Sequence, residues 1–233
     1  MKKRIGIVPK SMLFDMDQSN MSDVYHLSNN CCKRVLEAGG IPLCVTPVDN
    51  WIPEESLAMY DGYIVQGGAE YYPYHFQIVH DALIHHKPYL GLCLGEQLIY
   101  VYFALRQMVQ EQGGDTVKAI CDLLEARGPS FSVLKPVPGH RSPRQARGDE
   151  DAAKHAVSVV PGTILHRLLG RSTVRATSFH DLHVPPTQSF VTINAWSPDG
   201  VVEGVEYADH MLGVQFHPEI DDTLPELFRF LTE

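Results

Sequence analysis

The first half of the chain alternates short apolar runs with longer stretches of helical spacing. Apolar runs predict buried strands at Arg4 to Val8, Ile41 to Val45, Gly62 to Val65 and Pro88 to Leu92. Apolar residues at helical spacing predict helices at about Ser22 to Ala38, Phe76 to His86 and Gly95 to Val109. Strands and helices that alternate in this way form crossover units, so we expect an α/β fold with a mainly parallel central sheet flanked by helices.

The second half of the chain has a different pattern, in which strands follow one another through short turns. The predicted strands are His155 to Val160, Thr173 to Ser178, Phe190 to Trp196, Val201 to Tyr207 and Leu212 to Phe216. A helix over Asp221 to Leu231 is expected to end the chain. We therefore expect an additional antiparallel strand region in this half.

Residues 128–154, between these two regions, are rich in proline and in charged residues. Apolar strand patterns resume on both sides, so an exposed loop within one domain spanning 1–233 is expected rather than a linker. The role of its basic stretch, 135–147, stays open between a solvated surface and recognition of an acidic ligand or partner.

Composition narrows the function classes. The chain has 233 residues, 44% of them hydrophobic, and 28 acidic against 19 basic side chains give a net charge of -9. Nucleic acids and anionic membranes require a dense cationic surface, so we expect neither as a partner, and a small ligand is favoured. The apolar run after the first basic residues is too short for a signal peptide, and no stretch predicts a membrane helix. A cytoplasmic protein is expected.

The five cysteines are an odd number and include no C-x-x-C pair, which argues against a disulfide framework or a zinc knuckle. They are Cys31, Cys32, Cys44, Cys93 and Cys121. His75 and His80, or His85 and His86, do not complete a ligand set, so no metal site and no cofactor are predicted.

The strongest local signal for chemistry is Gly91-Leu92-Cys93-Leu94-Gly95, where a predicted buried strand turns into a helix. A G-x-nucleophile-x-G sequence in that position is typical of a nucleophile elbow. The helix dipole and a nearby imidazolium would stabilise the Cys93 thiolate. From this pentapeptide alone, a buried structural cysteine beside packing glycines is an equal alternative.

Residues that could complete a catalytic site follow other predicted strands. His217 comes after the last strand and can act as the base for Cys93, and Glu219 can orient the imidazole from two residues further on. Gly67-Gly68 follows the third strand, where the N–H of Gly68 could bind a developing oxyanion together with the N–H of Leu94.

These motifs resemble the class I glutamine amidotransferase-like family. The resemblance rests on 61–68 (DGYIVQGG), 91–97 (GLCLGEQ) and 213–219 (GVQFHPE), and it extends over nearly the whole chain. It implies a flavodoxin-like fold and a Cys-His-Glu triad of Cys93, His217 and Glu219. It also implies that Gln97, Ser178 and His180 line the substrate pocket.

Within this family the chain is most similar to the γ-glutamyl-γ-aminobutyrate hydrolase (peptidase C26-type) branch. Residues 160–163 (VPGT) and 197–203 (SPDGVVE) carry that similarity. Three positions depart from the branch pattern: Leu94 replaces an arginine, Glu70 replaces an aspartate, and 177–182 (TSFHDL) replaces the usual Asn-Ser-x-His-His-Gln. The triad therefore transfers to this chain residue by residue, whereas the amine-binding side of the pocket does not.

The primary hypothesis is a cysteine hydrolase that cleaves the γ-glutamyl amide bond of a small substrate and releases glutamate. One alternative is a glutaminase subunit that supplies ammonia to a separate synthase, since the length leaves no room for an attached one. The other is a non-catalytic binding or regulatory homologue, which Glu96 and the altered histidine stretch favour. A homodimer is expected only because dimers are the commonest assembly.

Overall fold

The computed structural model describes residues 1–13, 23–127, 132–140, 153–186, 190–220 and 224–233. Its strands are β1 (Arg4–Val8), β2 (Lys10–Leu13), β3 (Asp23–His26), β4 (Ile41–Cys44), β5 (Gly62–Val65), β6 (Tyr89–Leu92), β7 (Lys135–Pro136), β8 (Lys154–Val159), β9 (Thr173–Thr177), β10 (Leu182–His183), β11 (Thr192–Trp196), β12 (Val202–Tyr207) and β13 (Met211–Val214). Its helices are α1 (Asn29–Glu37), α2 (Glu54–Leu57), α3 (Pro73–His85), α4 (Leu94–Glu111), α5 (Val117–Arg127), α6 (Ile164–Leu169) and α7 (Glu226–Arg229).

The described residues form a nine-stranded sheet in the order β4-β1-β5-β6-β13-β12-β11-β8-β9. Neighbouring strands from β4 to β13 are parallel, and those from β13 to β9 are antiparallel. This arrangement confirms the expected α/β fold with a mainly parallel sheet and an antiparallel region from the second half. Because β6 and β13 are parallel neighbours, the residues that follow them emerge at the same edge of the sheet.

Both faces of the parallel strands are buried, which explains their nearly continuous apolar sequences. Alternate residues of a strand point to opposite faces. Accordingly, Tyr63, Val65 and Tyr89 pack in one apolar cluster with α3 and α4, while Ile64 and Leu90 pack in a second cluster with α1, α6 and α7. The helices on each side thus fix the sheet and the strand ends that carry the candidate site.

The helix predicted over Ser22 to Ala38 is wrong in its first part. Asp23–His26 forms β3 and pairs antiparallel with β2, and helix α1 begins only at Asn29. The side chain of Gln66 explains the difference, because its amide nitrogen donates to the carbonyl of His26 at 2.7 Å and its oxygen accepts from Ser28 N at 2.7 Å. These bonds hold the chain extended before α1. Ser22 itself lies outside the described residues.

Two further helices differ from the sequence pattern. Helix α5 is not predicted, because Ile120 is its only fully buried side chain and the helical period of apolar residues is therefore weak. The predicted C-terminal helix Asp221 to Leu231 is reduced to α7, which begins after Pro225. Residues 221–223 of that prediction lie outside the described residues.

Part of the predicted loop 128–154 packs against the body of the protein. Strand β7 pairs antiparallel with β10, and Leu134 and Val137 are buried on either side of it. The remainder of the predicted loop, 128–131 and 141–152, lies outside the described residues, as does most of the basic stretch 135–147.

Within the described ranges, no helix combines the length and the apolar character needed to cross a membrane. The five cysteines are all free thiols, and Cys44 is the exposed one among them.

Candidate active site

The nucleophile candidate Cys93 occupies a tight turn between β6 and α4. Its backbone has φ +52° and ψ -103°, a positive φ that non-glycine residues adopt at a cost. The flanking glycines are required by contact: a Cβ on Gly91 would lie 2.3 Å from the Gly95 carbonyl oxygen, and one on Gly95 would lie 2.2 Å from that of Val65. The pentapeptide therefore folds as an elbow that places Cys93 at the N-terminus of an 18-residue helix.

The candidate base His217 lies beside this elbow, just after β13. Its Nδ1 is 2.7 Å from Glu219 Oε1, and its backbone N–H donates to the Thr177 carbonyl at 2.9 Å. A Cβ on Gly67 would lie 2.8 Å from His217 Cε1 and 3.4 Å from Cys93 Cβ, so Gly67, His217 and Cys93 are immediate neighbours. The fold thus brings together the three residues that the sequence proposes as a triad.

The charges around His217 favour its protonated form. Burial alone lowers the pKa of His217, but the carboxylate of Glu219 and the hydrogen bond with Cys93 outweigh that effect and raise the pKa well above its ordinary value. An imidazolium between a carboxylate and a thiol is the arrangement that supports a thiolate–imidazolium pair.

The candidate oxyanion donors lie side by side next to the elbow. A Cβ on Gly68 would lie 2.9 Å from Leu94 Cδ2, which places the two residues in contact. Leu94 is the first residue of α4, and the first N–H groups of a helix have no acceptor within the helix. The pairing of the Gly68 and Leu94 N–H groups around an oxyanion stays a prediction.

The side chains of Gln97 and Ser178, two of the predicted pocket residues, are bonded to the protein itself. The amide nitrogen of Gln97 donates to the Leu182 carbonyl at 3.0 Å and to Gln215 Oε1 at 2.9 Å. Ser178 Oγ donates to the His140 carbonyl at 3.2 Å. In this structure both side chains connect elements around the elbow, and their contact with a substrate stays a prediction.

Near His180, the third predicted pocket residue, a backbone carbonyl contacts the nucleophile, whereas the His180 ring contacts other residues. The Phe179 carbonyl, one residue earlier, lies 3.8 Å from Cys93 Sγ. The ring of His180 is buried, with Nδ1 2.9 Å from the Leu182 carbonyl and Nε2 3.1 Å from His140 Nδ1. Segment 177–182 therefore borders the nucleophile while the imidazole of His180 points into a separate cluster.

Glu96 is a buried acid beside the elbow that the sequence reasoning did not place in the site. It is fully buried, and neither carboxyl oxygen has a hydrogen-bond partner among the described residues. Burial, then the charges of Glu203 and Cys93, raise its pKa well above the ordinary range. The position of Glu96 in the first turn of α4 does not by itself reveal this burial, because acidic residues in the first turn of a helix are usually exposed.

A large cavity lies away from these residues. It has a volume of about 980 Å³, and its lining includes Asp61 and Pro88, which directly precede β5 and β6, and His85 at the end of α3. The cavity therefore lies near the amino ends of these strands, opposite to their carboxyl ends. Ligands of parallel α/β sheets bind at the carboxyl ends of strands, where Cys93 and His217 emerge, so we assign the chemistry to that edge.

A set of possible metal ligands occurs near the site, although the sequence predicts none. One ligand atom each from His140, His155 and Glu203 lie within 4.8 Å of one another. The set draws on three separate segments, so no spacing in the sequence signals it.

Comparison with known proteins identifies the family. The family model of Peptidase C26 matches residues 73–219, which include the elbow, segment 177–182, His217 and Glu219. Protein NtpR of Enterococcus hirae is 26% identical to the chain, and the match covers 93% of this chain and 90% of NtpR. A CTP synthase of Chlamydia felis is 28% identical over 94% of this chain but only 40% of its own length.

Solved structures share the fold. The glutaminase domain of Trypanosoma brucei CTPS with bound acivicin superposes with a TM-score of 0.66 at 18% identity, covering 99% of this chain and 92% of that one. A glutamine amidotransferase of Thermotoga maritima gives a TM-score of 0.57 at 16% identity, covering 94% and 77%. With the family match and the elbow geometry together, the chain belongs to the Peptidase C26 family, as a hydrolase-type enzyme with a class I glutamine amidotransferase-like fold.

Proposed function

We propose that the protein is a cysteine hydrolase that cleaves the γ-glutamyl amide bond of a small substrate and releases glutamate. The observation that supports this most is the contact of Cys93, held at positive φ on the N-terminus of α4, with a His217 whose partner is Glu219. Substrate identity on the amine side is left open, because segment 177–182 departs from the related hydrolases.

The first half of the reaction forms a thioester. The Cys93 thiolate attacks the γ-carbonyl carbon, and the N–H groups of Gly68 and Leu94 stabilise the resulting oxyanion. As the tetrahedral intermediate collapses, the C–N bond breaks and the imidazolium of His217 donates its proton to the departing amine. Glu219 keeps the ring oriented throughout.

The second half returns the enzyme to its starting state. Neutral His217 accepts a proton from water, and the hydroxide oxygen attacks the thioester carbon. Collapse of this second intermediate breaks the C–S bond, releases glutamate and restores the Cys93 thiolate beside a protonated His217. Protons and electron pairs balance over the cycle, which consumes one water.

A panel of γ-glutamyl amides tests this proposal directly. Glutamate release is measured by a coupled assay with L-glutamine, γ-glutamyl-γ-aminobutyrate and γ-glutamyl-p-nitroanilide, using wild type and Cys93→Ser. Cys44→Ser is the matched control, because it removes an exposed thiol on β4. We expect release by wild type and by Cys44→Ser alone; no release by wild type, or release that survives Cys93→Ser, would refute the proposal.

A glutaminase subunit that supplies ammonia to a separate synthase is the second candidate. It is favoured by Leu94 after the nucleophile and by the match to CTP synthases, of which the chain spans two fifths or less in the Chlamydia felis and Aeropyrum pernix proteins. L-Glutamine turnover that exceeds that of every other amide, and that rises when a synthase is added, would favour this candidate. Turnover of other amides without a partner would favour the hydrolase.

The remaining expectations rest on the same proposal. A small γ-glutamyl substrate is the one partner that the catalytic step itself requires. A cytoplasmic location and a homodimer stay predictions, the first checked by cell fractionation and the second by light scattering of the purified chain.

A further inference from the structure

Behind segment 177–182 lies a cluster of three imidazoles around one buried carboxylate. Glu203 on β12 is fully buried, and its Oε2 has no hydrogen-bond partner among the described residues. Around its Oε1 lie His140 Nδ1 at 3.1 Å, His180 Nε2 at 3.4 Å and His155 Nε2 at 3.5 Å. The four residues come from four separate segments, which the antiparallel part of the sheet brings to one point.

The separations of His140 and His155 from Glu203 are close to those between the ligands of a tetrahedral zinc ion. With Zn–N and Zn–O bonds of about 2.0–2.1 Å, neighbouring ligand atoms of a tetrahedron lie about 3.3–3.4 Å apart. His140 Nδ1 at 3.1 Å and His155 Nε2 at 3.5 Å from Glu203 Oε1 bracket this value, and the three ligand atoms all lie within 4.8 Å of one another. Imidazole nitrogen and carboxylate oxygen are also the donor types that suit Zn²⁺.

The outer contact of His140 is that of a metal-ligating histidine. The Nε2 of His140, on the far side of the ring from Glu203, lies 3.0 Å from Asp199 Oδ2. A ligating histidine typically donates its other ring N–H to a carboxylate or carbonyl in this way, which fixes its tautomer and orientation.

A path for an ion leads to the cluster from solvent. A cavity of about 220 Å³, lined by His140, His155, Ser178 and Asp199 among others, opens at the protein surface. His155 Nε2 is buried and has no hydrogen-bond partner in the described part of the chain. Among the described residues, the cavity therefore reaches two members of the cluster, His140 and His155.

We propose that His140, His155 and Glu203 form a binding site for a divalent transition-metal ion, of which Zn²⁺ fits best. Nothing in the proposed hydrolysis uses this ion. The site would instead tie residues 139–140 to β8 and β12, and it would border segment 177–182 through the bond of Ser178 to the His140 carbonyl.

Competition for zinc tests the site in the full-length chain. All proteins carry Cys93→Ser, which removes the most reactive thiol as a rival ligand, and are stripped with a chelator before ZnCl₂ is titrated against a chromogenic chelator. His155→Gln is the main variant, because the His155 side chain is 25% exposed and its replacement should leave the fold intact. His85→Gln is the matched control, a surface imidazole on α3.

We expect one equivalent of Zn²⁺ with the parent protein and with His85→Gln. Affinity should fall by about tenfold or more in His155→Gln, and by about 10- to 100-fold in Asp199→Asn, which removes only the carboxylate behind His140. Zinc should also raise the melting temperature of the parent but not of His155→Gln. Circular dichroism checks that each variant folds.

Two results would overturn the site. One is no stoichiometric Zn²⁺ binding by the folded parent protein. The other is equal Zn²⁺ affinity in His155→Gln and His85→Gln, which would place the ion on other thiols or imidazoles. A cobalt titration adds a geometric readout, because tetrahedral Co²⁺ absorbs strongly in the visible and that band should disappear in His155→Gln.

Discussion

The proposed triad of Cys93, His217 and Glu219 and the flank formed by residues 177–182 meet at Cys93, yet they are constructed differently. Cys93 and His217 follow neighbouring parallel strands, and Glu219 contacts His217 from two residues away. The flank depends on β7, on residues near His140 and on β12, which are far apart in the chain. The arrangement of the proposed triad thus depends on short sequence motifs at strand ends. The arrangement of the flank depends instead on contacts between segments that are far apart in the chain.

The two regions also differ in the hydrogen bonds that their polar side chains make. In the proposed triad, His217 Nε2 has no hydrogen-bond partner among the described residues apart from its contact with Cys93. In the flank, Ser178 and His180 already bond to protein groups. Mutations in the triad should therefore change the rate of the chemical step. Mutations in the flank should instead change the ordering of segment 177–182 and the affinity for substrate.

The largest effect is expected for Cys93→Ser. Serine keeps the elbow but is a far weaker nucleophile without a thiolate, so glutamate release should fall by more than about 10³-fold. Steady-state kinetics with the best amide of the panel measures this fall. Retention of near-wild-type turnover would remove Cys93 from the triad.

Glu219→Gln should lower kcat/KM by about 10²-fold and change its pH profile. Glu219 raises the pKa of His217, so the ring stays protonated as pH rises until it passes that raised value. Glutamine removes the charge, the pKa of His217 falls, and the alkaline limb of the profile should move to lower pH. An unchanged alkaline limb would show that Glu219 does not act on His217.

Gly67→Ala should lower kcat by about tenfold, because its methyl group would lie 2.8 Å from His217 Cε1 and must displace the ring. Gly68→Ala is the matched control: it keeps the backbone N–H, and its methyl group meets the flexible end of Leu94 at 2.9 Å. Equal losses in the two variants would contradict the close packing of Gly67 on His217.

The smallest effect is expected in the flank, for Ser178→Ala. Loss of its bond to the His140 carbonyl should lower the free energy of unfolding by about 0.5–1.5 kcal/mol, with kcat changed by less than about threefold. Denaturant unfolding and steady-state kinetics measure the two quantities. A large rise in KM with unchanged stability would instead identify Ser178 as a substrate contact and remove the distinction between triad and flank.

Alkylation compares the thiols within one sample. Burial raises the pKa of Cys121 to about 12 and also raises the pKa values of Cys31 and Cys32, so these thiols should react slowly. Cys93, activated by His217, should react with iodoacetamide near neutral pH faster than exposed Cys44, as read by peptide mass spectrometry. A faster Cys44 would favour a non-catalytic homologue.

The sequence by itself determined the α/β architecture and the three motifs of the triad. Strand cores such as Gly62 to Val65 are short apolar runs whose signal does not depend on distant residues. The elbow glycines and residues 217–219 likewise occupy a few consecutive positions, so their placement at strand ends could be predicted from the sequence, whereas their chemistry stays a prediction.

Only the tertiary structure decided the rest. Strand β3 exists because the side chain of Gln66, forty residues away, bonds to the chain before α1. Burial raises the pKa of Glu96, and no local pattern in the sequence indicates that burial. Similarly, His140, His155, His180 and Glu203 converge because antiparallel pairing brings separated segments together. Contacts of this kind depend on long-range packing, and a linear sequence pattern does not contain that information.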